Sequence, residues 1–168
     1  MTGTGATENA SWEELARDAN EPALAETEEF LQLLTLELDG DLYAVPVESV
    51  REIVRIRPIT PVPRVSADVR GVIALRGEIV QVVDLRGRLG LEGVEPSRTS
   101  RIVVVHLGDA RIAGVLVDAV RDVLRVPEAC IVPPSGGESA AIEAMCRRGE
   151  QFVSLIALDR VLQFDVEN

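Results

Sequence analysis

The stretch "GVIALRGEIVQVVDLRGRLGL", Gly71 to Leu91, consists of two apolar runs joined by Arg76-Gly77. Gly71 to Leu75 and Glu78 to Val83 are rich in Val and Ile and short enough to be strands. The step between them reads as a two-residue hairpin turn. Such turns usually carry Asn-Gly or Asp-Gly, because both central residues take positive φ. A permanent cation at this joint therefore needs a reason of its own. "DLRGRLGL" follows as a short helix or turn. Asp84 stands at its start, where a carboxylate accepts from free backbone N–H groups, and Gly90 lies past its end.

Working outward, "FLQLLTLELDGDLYAVPV" alternates apolar and polar residues and breaks at Asp39-Gly40, a hairpin signal. "VESVREIVRI" continues after one helical turn opened by Pro46. "RPITPVPRVSADVRG" holds Pro58, Pro61 and Pro63, which cannot donate to a central ladder, and reads as an extended loop. "SRIVVVHLGDARIAGVLVDAVRDVLRV" gives further strands with a turn at Gly108-Asp109. Asp118 and Asp122 read there as turn or edge residues without a partner cluster. "PEACIVPPSGG" is a loop, "QFVSLIAL" a last strand and "DRVLQF" a terminal helical turn. In "ESAAIEAMCRR", Ala141, Ile142, Met145 and Cys146 share one helical face, so local propensity predicts a helix. Short strands with turn signals every ~8 to 12 residues point to an all-β barrel or sandwich. The helical segments are too few and short for parallel crossovers.

Of 168 residues 46% are hydrophobic and 3% aromatic, so the core must be built from Val, Leu, Ile and Ala. Residues 1–27 read as an acidic, disordered tail and residues 28–168 as the folded domain. Eight acids and one base, Arg17, lie before Phe30 and account for most of the net charge of −11. Within the tail, Ser11 and Glu14 have capping-box spacing, which reads as a nascent turn. No basic stripe offers itself to nucleic acid or anionic lipid. No apolar run reaches the ~18 residues of a membrane span, so no membrane insertion is expected. The absence of a signal peptide and of a C-x-x-C pair predicts a cytoplasmic protein.

Catalytic candidates are few. His106 is the only histidine and lies in a strand-like run, where a packed or edge role is the expectation. Cys130 and Cys146 lack zinc-ligand spacing and read as buried thiols. There is no lysine, which excludes a P-loop or Schiff-base lysine. No nucleotide-binding glycine pattern occurs. The reading is no catalytic residue, no metal and no cofactor. What remains is a polar pair in apolar surroundings, Glu52 in "VREIV" and Arg76 in "ALRGE". A forked ion pair or interface anchor and two ordinary surface residues are both open on this ground.

These segments resemble CheW-like coupling proteins of bacterial chemotaxis. "GVIALRGEIVQVVDL" is similar to their Gly-Val-x-x-Leu-Arg-Gly run with a strand ending in Val-Asp-Leu. "FLQLLTLELDGDLYAVPVESVREIVRI", "RIAGVLVDAVRDVL" and "GEQFVSLIALDRVL" resemble other family segments in the same order, over about residues 28–166. The resemblance implies two small intertwined five-stranded SH3-like barrels with a few short helical turns. It implies a non-catalytic adaptor between the cytoplasmic tip of a chemoreceptor and the regulatory domain of a CheA-type histidine kinase. The same fold also admits a motility or developmental pathway, and the rival class is a small enzyme using His106. Carried over by position, Glu52 and Arg76 match the family's functional acid–base pair. Val50, Ile53, Gly71 and Gly77 match positions around the partner groove, and Gly114 a glycine of the second barrel. The chain departs from the family's frequent glycines at Ala144 and Cys146. The resemblance also makes Ile142 to Arg147 a strand, against local propensity.

Overall fold

The computed structural model describes residues 29–108, 110–134 and 140–162; the acidic segment 1–27 with its capping-box turn lies outside the described residues. The larger of two units comprises residues 31–126 and 130 onward. In the smaller, the Glu128 N–H donates to the Glu29 carbonyl at 2.8 Å.

In chain order the strands are β1 (Phe30–Leu38), β2 (Asp41–Pro46), β3 (Val50–Arg55), β4 (Val69–Leu75), β5 (Glu78–Asp84), β6 (Arg101–Leu107), β7 (Arg111–Val117), β8 (Ala119–Pro127), β9 (Ile142–Arg148) and β10 (Gln151–Ile156). A 3-10 turn, Val47–Ser49, separates β2 from β3 where Pro46 breaks the strand. Two one-turn helices, α1 (Leu85–Arg88) and α2 (Leu158–Val161), follow β5 and β10. Asp84 caps α1, its Oδ1 accepting the Arg86 N–H at 3.0 Å.

One sheet has the order β9-β10-β2-β1-β8 and the other β3-β6-β7-β5-β4. Each is antiparallel except for one parallel pair, β10 with β2 and β5 with β7. Period-two burial sends Ile73, Leu75, Val80, Val82, Ile102 and Val104 into one barrel. Leu33, Ala44, Cys146, Val153 and Leu155 fill the other. The largest cluster is the seam, where Leu34, Leu36 and Val45 of one sheet meet Val83, Val103, Val105 and Val115 of the other. Each such side chain contributes about 1.5–3 kcal/mol of burial.

The strand order reveals a tandem repeat. Hairpin β1–β2 sits in one barrel and the following strands β3, β4 and β5 in the other; hairpin β6–β7 and strands β8, β9 and β10 do the reverse. Val47–Ile56, "VESVREIVRI", and Val117–Val126, "VDAVRDVLRV", are counterparts in sequence. The details recur too. A bulge at Val69/Gly71 matches one at Ile142/Ala144, and the bridge Thr60–Val72 matches Val132–Met145.

One expectation holds and one is corrected. Ile142–Arg148 is a strand, as the resemblance implies and against helical propensity. Ile142 and Cys146 are spaced for one helical face, but in the strand the bulge at Ile142/Ala144 sends Ile142 to the seam and Cys146 into the barrel, and pairing with β10 decides. The cysteines differ: Cys146 is buried, whereas Cys130 is exposed.

Candidate functional site

Strands β3 and β4 are the two edges of the second sheet. Side chains close this seam. Arg76 donates from Nε to Glu52 Oε2 at 3.1 Å and from Nη2 to Oε1 at 2.9 Å, a two-pronged pair. Arg51 donates to Glu78 at 2.7 Å, and Arg57 to the Ala74 carbonyl at 3.0 Å. The Arg76 side chain is 68% exposed while that of Glu52 is 19% exposed, so the acid is anchored and the guanidinium faces outward. The hydrogen bond from Arg76 holds the Glu52 carboxyl below its ordinary range, and Glu52 in turn raises Arg76.

Arg76 has φ 52° and Gly77 φ 83°, so both turn residues are left-handed. An L-residue other than Asn, Asp or Gly rarely takes that conformation. Beside the turn, Ile79 is 70% exposed and its cross-strand partner Ala74 is exposed as well. Ile53, next to Glu52, is 41% exposed. The tip thus presents an ion pair flanked by apolar side chains. Ile79 was legible in the sequence: with Val80 and Val82 inward, alternation sends it outward.

The other predicted positions divide. Val50 is half-buried and packs on the seam core beside its partner Val105. Gly71, at φ 142°, lies under the proline loop, where a Cβ would meet the Thr60 carbonyl oxygen at 2.1 Å. Gly114 is buried between β6 and β5, where a Cβ would meet the Ile102 side chain at 2.8 Å. These two glycines shape the barrel, and only Glu52, Ile53, Arg76 and Gly77 stand at the exposed tip.

Asp118 and Asp122 do have partners. Arg148 grips Asp122 through two bonds of 3.1 and 2.7 Å, and the buried Thr35 hydroxyl donates to the same carboxylate at 2.7 Å. Asp122 is the repeat's counterpart of Glu52, so the first barrel has its own acid–arginine clasp across β8 and β9. Asp118 takes Arg86 Nε at 2.9 Å and Nη2 at 2.7 Å, with Asp39 at 3.7 Å from the same guanidinium. The missed signal was the repeated Val-Arg-acid run at Val50–Glu52 and Val120–Asp122.

His106 is exposed, pairs with Ile112 near the end of the interior strand β6, and lies at the rim of a cavity. Among the described residues no three His, Cys, Asp or Glu side chains gather as metal ligands, and no helix is long and apolar enough to cross a membrane.

The CheW-like domain family matches residues 32–165. The chain is 37% identical over 102 residues to chemotaxis protein CheW of Rhizobium meliloti (strain 1021), covering 61% of this chain and 65% of that protein. It is 33% identical over 129 residues to a probable chemotaxis protein CheW of Rhizobium etli, covering 77% and 79%. Protein FrzA of Myxococcus xanthus is 33% identical over 130 residues, covering 74% and 81%. The crystal structure of scaffolding protein TtCheW from Thermoanaerobacter tengcongensis superposes with a TM-score of 0.76 at 28% identity, over 83% of this chain and 97% of that one. With the paired five-stranded barrels and the Leu-Arg-Gly hairpin already in place, these matches settle the family: the chain belongs to the CheW-like family.

Proposed function

We propose that this protein is a non-catalytic cytoplasmic adaptor that couples the tip of a chemoreceptor to the regulatory domain of a CheA-type histidine kinase. The carrying observation is the Glu52–Arg76 pair, held at an exposed hairpin tip by a backbone conformation that arginine disfavours. A left-handed arginine gives the turn nothing that Asn or Asp would not give better. Its use lies in the guanidinium, which keeps donors free for a second carboxylate while Glu52 orients it. Ile53 and Ile79 add apolar contact beside the fork. That combination suits a docking surface with an arginine anchor. The family membership and the scaffolding title of TtCheW support the adaptor reading.

Reconstitution of receptor, kinase and this chain tests it. Wild type raises kinase activity above the receptor–kinase baseline. Arg76→Glu, folded by circular dichroism, leaves activity at baseline, because like charges then face each other at the tip. Full activation by folded Arg76→Glu defeats the assignment of this tip.

A further inference from the structure

We propose that the cavity between the one-turn helices α1 and α2 binds a phosphate group, with Arg88 and Arg160 as its cationic walls. The cavity holds about 230 Å³ and is lined by Arg88, Ala140, Ala141, Arg160 and Val161. None of these described lining residues is acidic, in a chain whose net charge is −11. Two cations around one small space stand out against that background.

Arg88 carries the inference. Its side chain is only 20% exposed. Its Nε is closed to solvent, and among the described residues it has no hydrogen-bond partner. Asp68 Oδ2 stands 3.7 Å from it, close enough for attraction and too far for a hydrogen bond. Buried donors are nearly always satisfied, so an orphan calls for a partner such as a bound ion. Arg86, two residues earlier on the same helix, shows the satisfied form. It gives Nε and Nη2 to Asp118 and Nη1 to the Glu92 carbonyl. Among the described residues Arg88 makes no such set of bonds. Arg160 is exposed, and its Nη1 donates to the Ala140 carbonyl at 2.6 Å. That bond ties its guanidinium to a residue of the cavity wall and uses one of five N–H donors.

An oxyanion answers both arginines, because a guanidinium fork matches the oxygens of phosphate or carboxylate. Phosphate suits the pair better. It carries about −1.5 to −2 charges at pH 7, and its oxygens face several ways, so it can serve two arginines on separate elements. Ala140, Ala141 and Val161 supply apolar walls, beside which such bonds are stronger than in water. The inference does not rest on the adaptor reading, and its test uses neither receptor nor kinase.

The experiment is an NMR titration of the isotope-labelled full chain with inorganic phosphate at constant ionic strength, with acetate as control and N-acetyl-O-phosphoserine amide as second probe. Phosphate should give saturable shifts at Arg88, Ala140, Ala141 and Arg160, and acetate none at the same concentration. Arg160→Gln, at an exposed position, should weaken phosphate about tenfold, as expected for one lost charge-assisted bond. Arg88→Gln should weaken it at least as much; should that variant fail to fold, the other two carry the test. Asp68→Asn removes the carboxylate that competes for Arg88 and should tighten phosphate about threefold, the scale of one partly exposed charge. A merely structural arginine would not produce that gain. Phosphoserine binding as tightly as phosphate assigns the seat to a phosphorylated side chain, and binding of inorganic phosphate alone assigns it to the free anion. No saturable shifts, equal shifts with acetate, shifts spread over the other arginines, or wild-type affinity in folded Arg160→Gln and Asp68→Asn would each overturn the proposal.

Discussion

Arg76 and Asp39 occupy the same backbone position in two different hairpins. Their φ angles are 52° and 54°, and the glycines that follow, Gly77 and Gly40, have 83° and 85°. One turn carries the residue that this geometry favours. The other carries a residue that it disfavours, and that residue holds Glu52 across the open seam of its barrel. A disfavoured residue at an exposed, partnered position points to use rather than to folding.

Arg76→Asn should therefore fold at least as well as wild type, since Asn tolerates the left-handed turn. Its melting temperature should stay within about 2–4 °C of wild type or rise, a change of the size one small local term produces. Kinase coupling should nonetheless be lost. A large fall in melting temperature would show the arginine to be structural.

Charge reversal separates two ways in which the pair could act. Glu52→Arg and Arg76→Glu should each be defective in the receptor–kinase mixture. If the double variant recovers coupling, the pair acts as a pair. If it stays defective while folded, each residue touches a partner directly.

Arg86→Ala should be a folding mutation. It leaves Asp118 partly buried without its cation, at a cost of about 3 kcal/mol in urea unfolding. Arg86→Lys should recover only part of this, because an ammonium cannot take both Asp118 oxygens as the fork does. An unfolding midpoint unchanged in Arg86→Ala would show that the latch contributes nothing.

Acid should destabilise the protein through the same carboxylates. Burial pushes Asp118 up, but the Arg86 hydrogen bond and the Asp39 N–H outweigh it and hold Asp118 below its ordinary value. Thr35 and Arg148 lower Asp122, and Arg76 lowers Glu52. Each then contributes stability above the unfolded carboxylate pKa that is lost as pH falls through the lower folded value. Asp84 runs the other way: burial raises it, so its protonation relieves a cost. Urea midpoints measured from about pH 6 to pH 3 should fall less steeply in Asp118→Asn and more steeply in Asp84→Asn.

Gly71→Ala should unfold or displace the proline loop, since the added methyl meets the Thr60 carbonyl carbon at 2.7 Å and its oxygen closer still. A loss of about 2 kcal/mol or more is expected. Gly114→Ala should be milder. The repeat places Ala44 at the equivalent position, and the Ile102 methyl group can yield where a backbone carbonyl cannot. Equal stability of Gly71→Ala and wild type would return Gly71 to the list of contact residues.

The sequence by itself determined the strands, the hairpin turns at Asp39-Gly40 and Arg76-Gly77 and the Asp84 cap, and it singled out Glu52 and Arg76 as polar residues in apolar surroundings. These are local matters: period-two burial, left-handed turn residues and a capping oxygen act within a few positions. It also held the repeat of Val47–Ile56 in Val117–Val126, legible only when distant segments are set side by side. Tertiary structure decided the rest. Whether Ile142–Arg148 is helix or strand turned on the hydrogen bonds offered by β10, because its apolar spacing favours a helical face and only pairing, with a bulge at Ile142/Ala144, makes it a strand. Whether Asp118 and Asp122 were idle turn residues or paired acids turned on Arg86 and Arg148, far along the chain. The two barrels exchange strands between halves, so each half completes its neighbour's sheet, and neither half of the sequence contains a whole barrel.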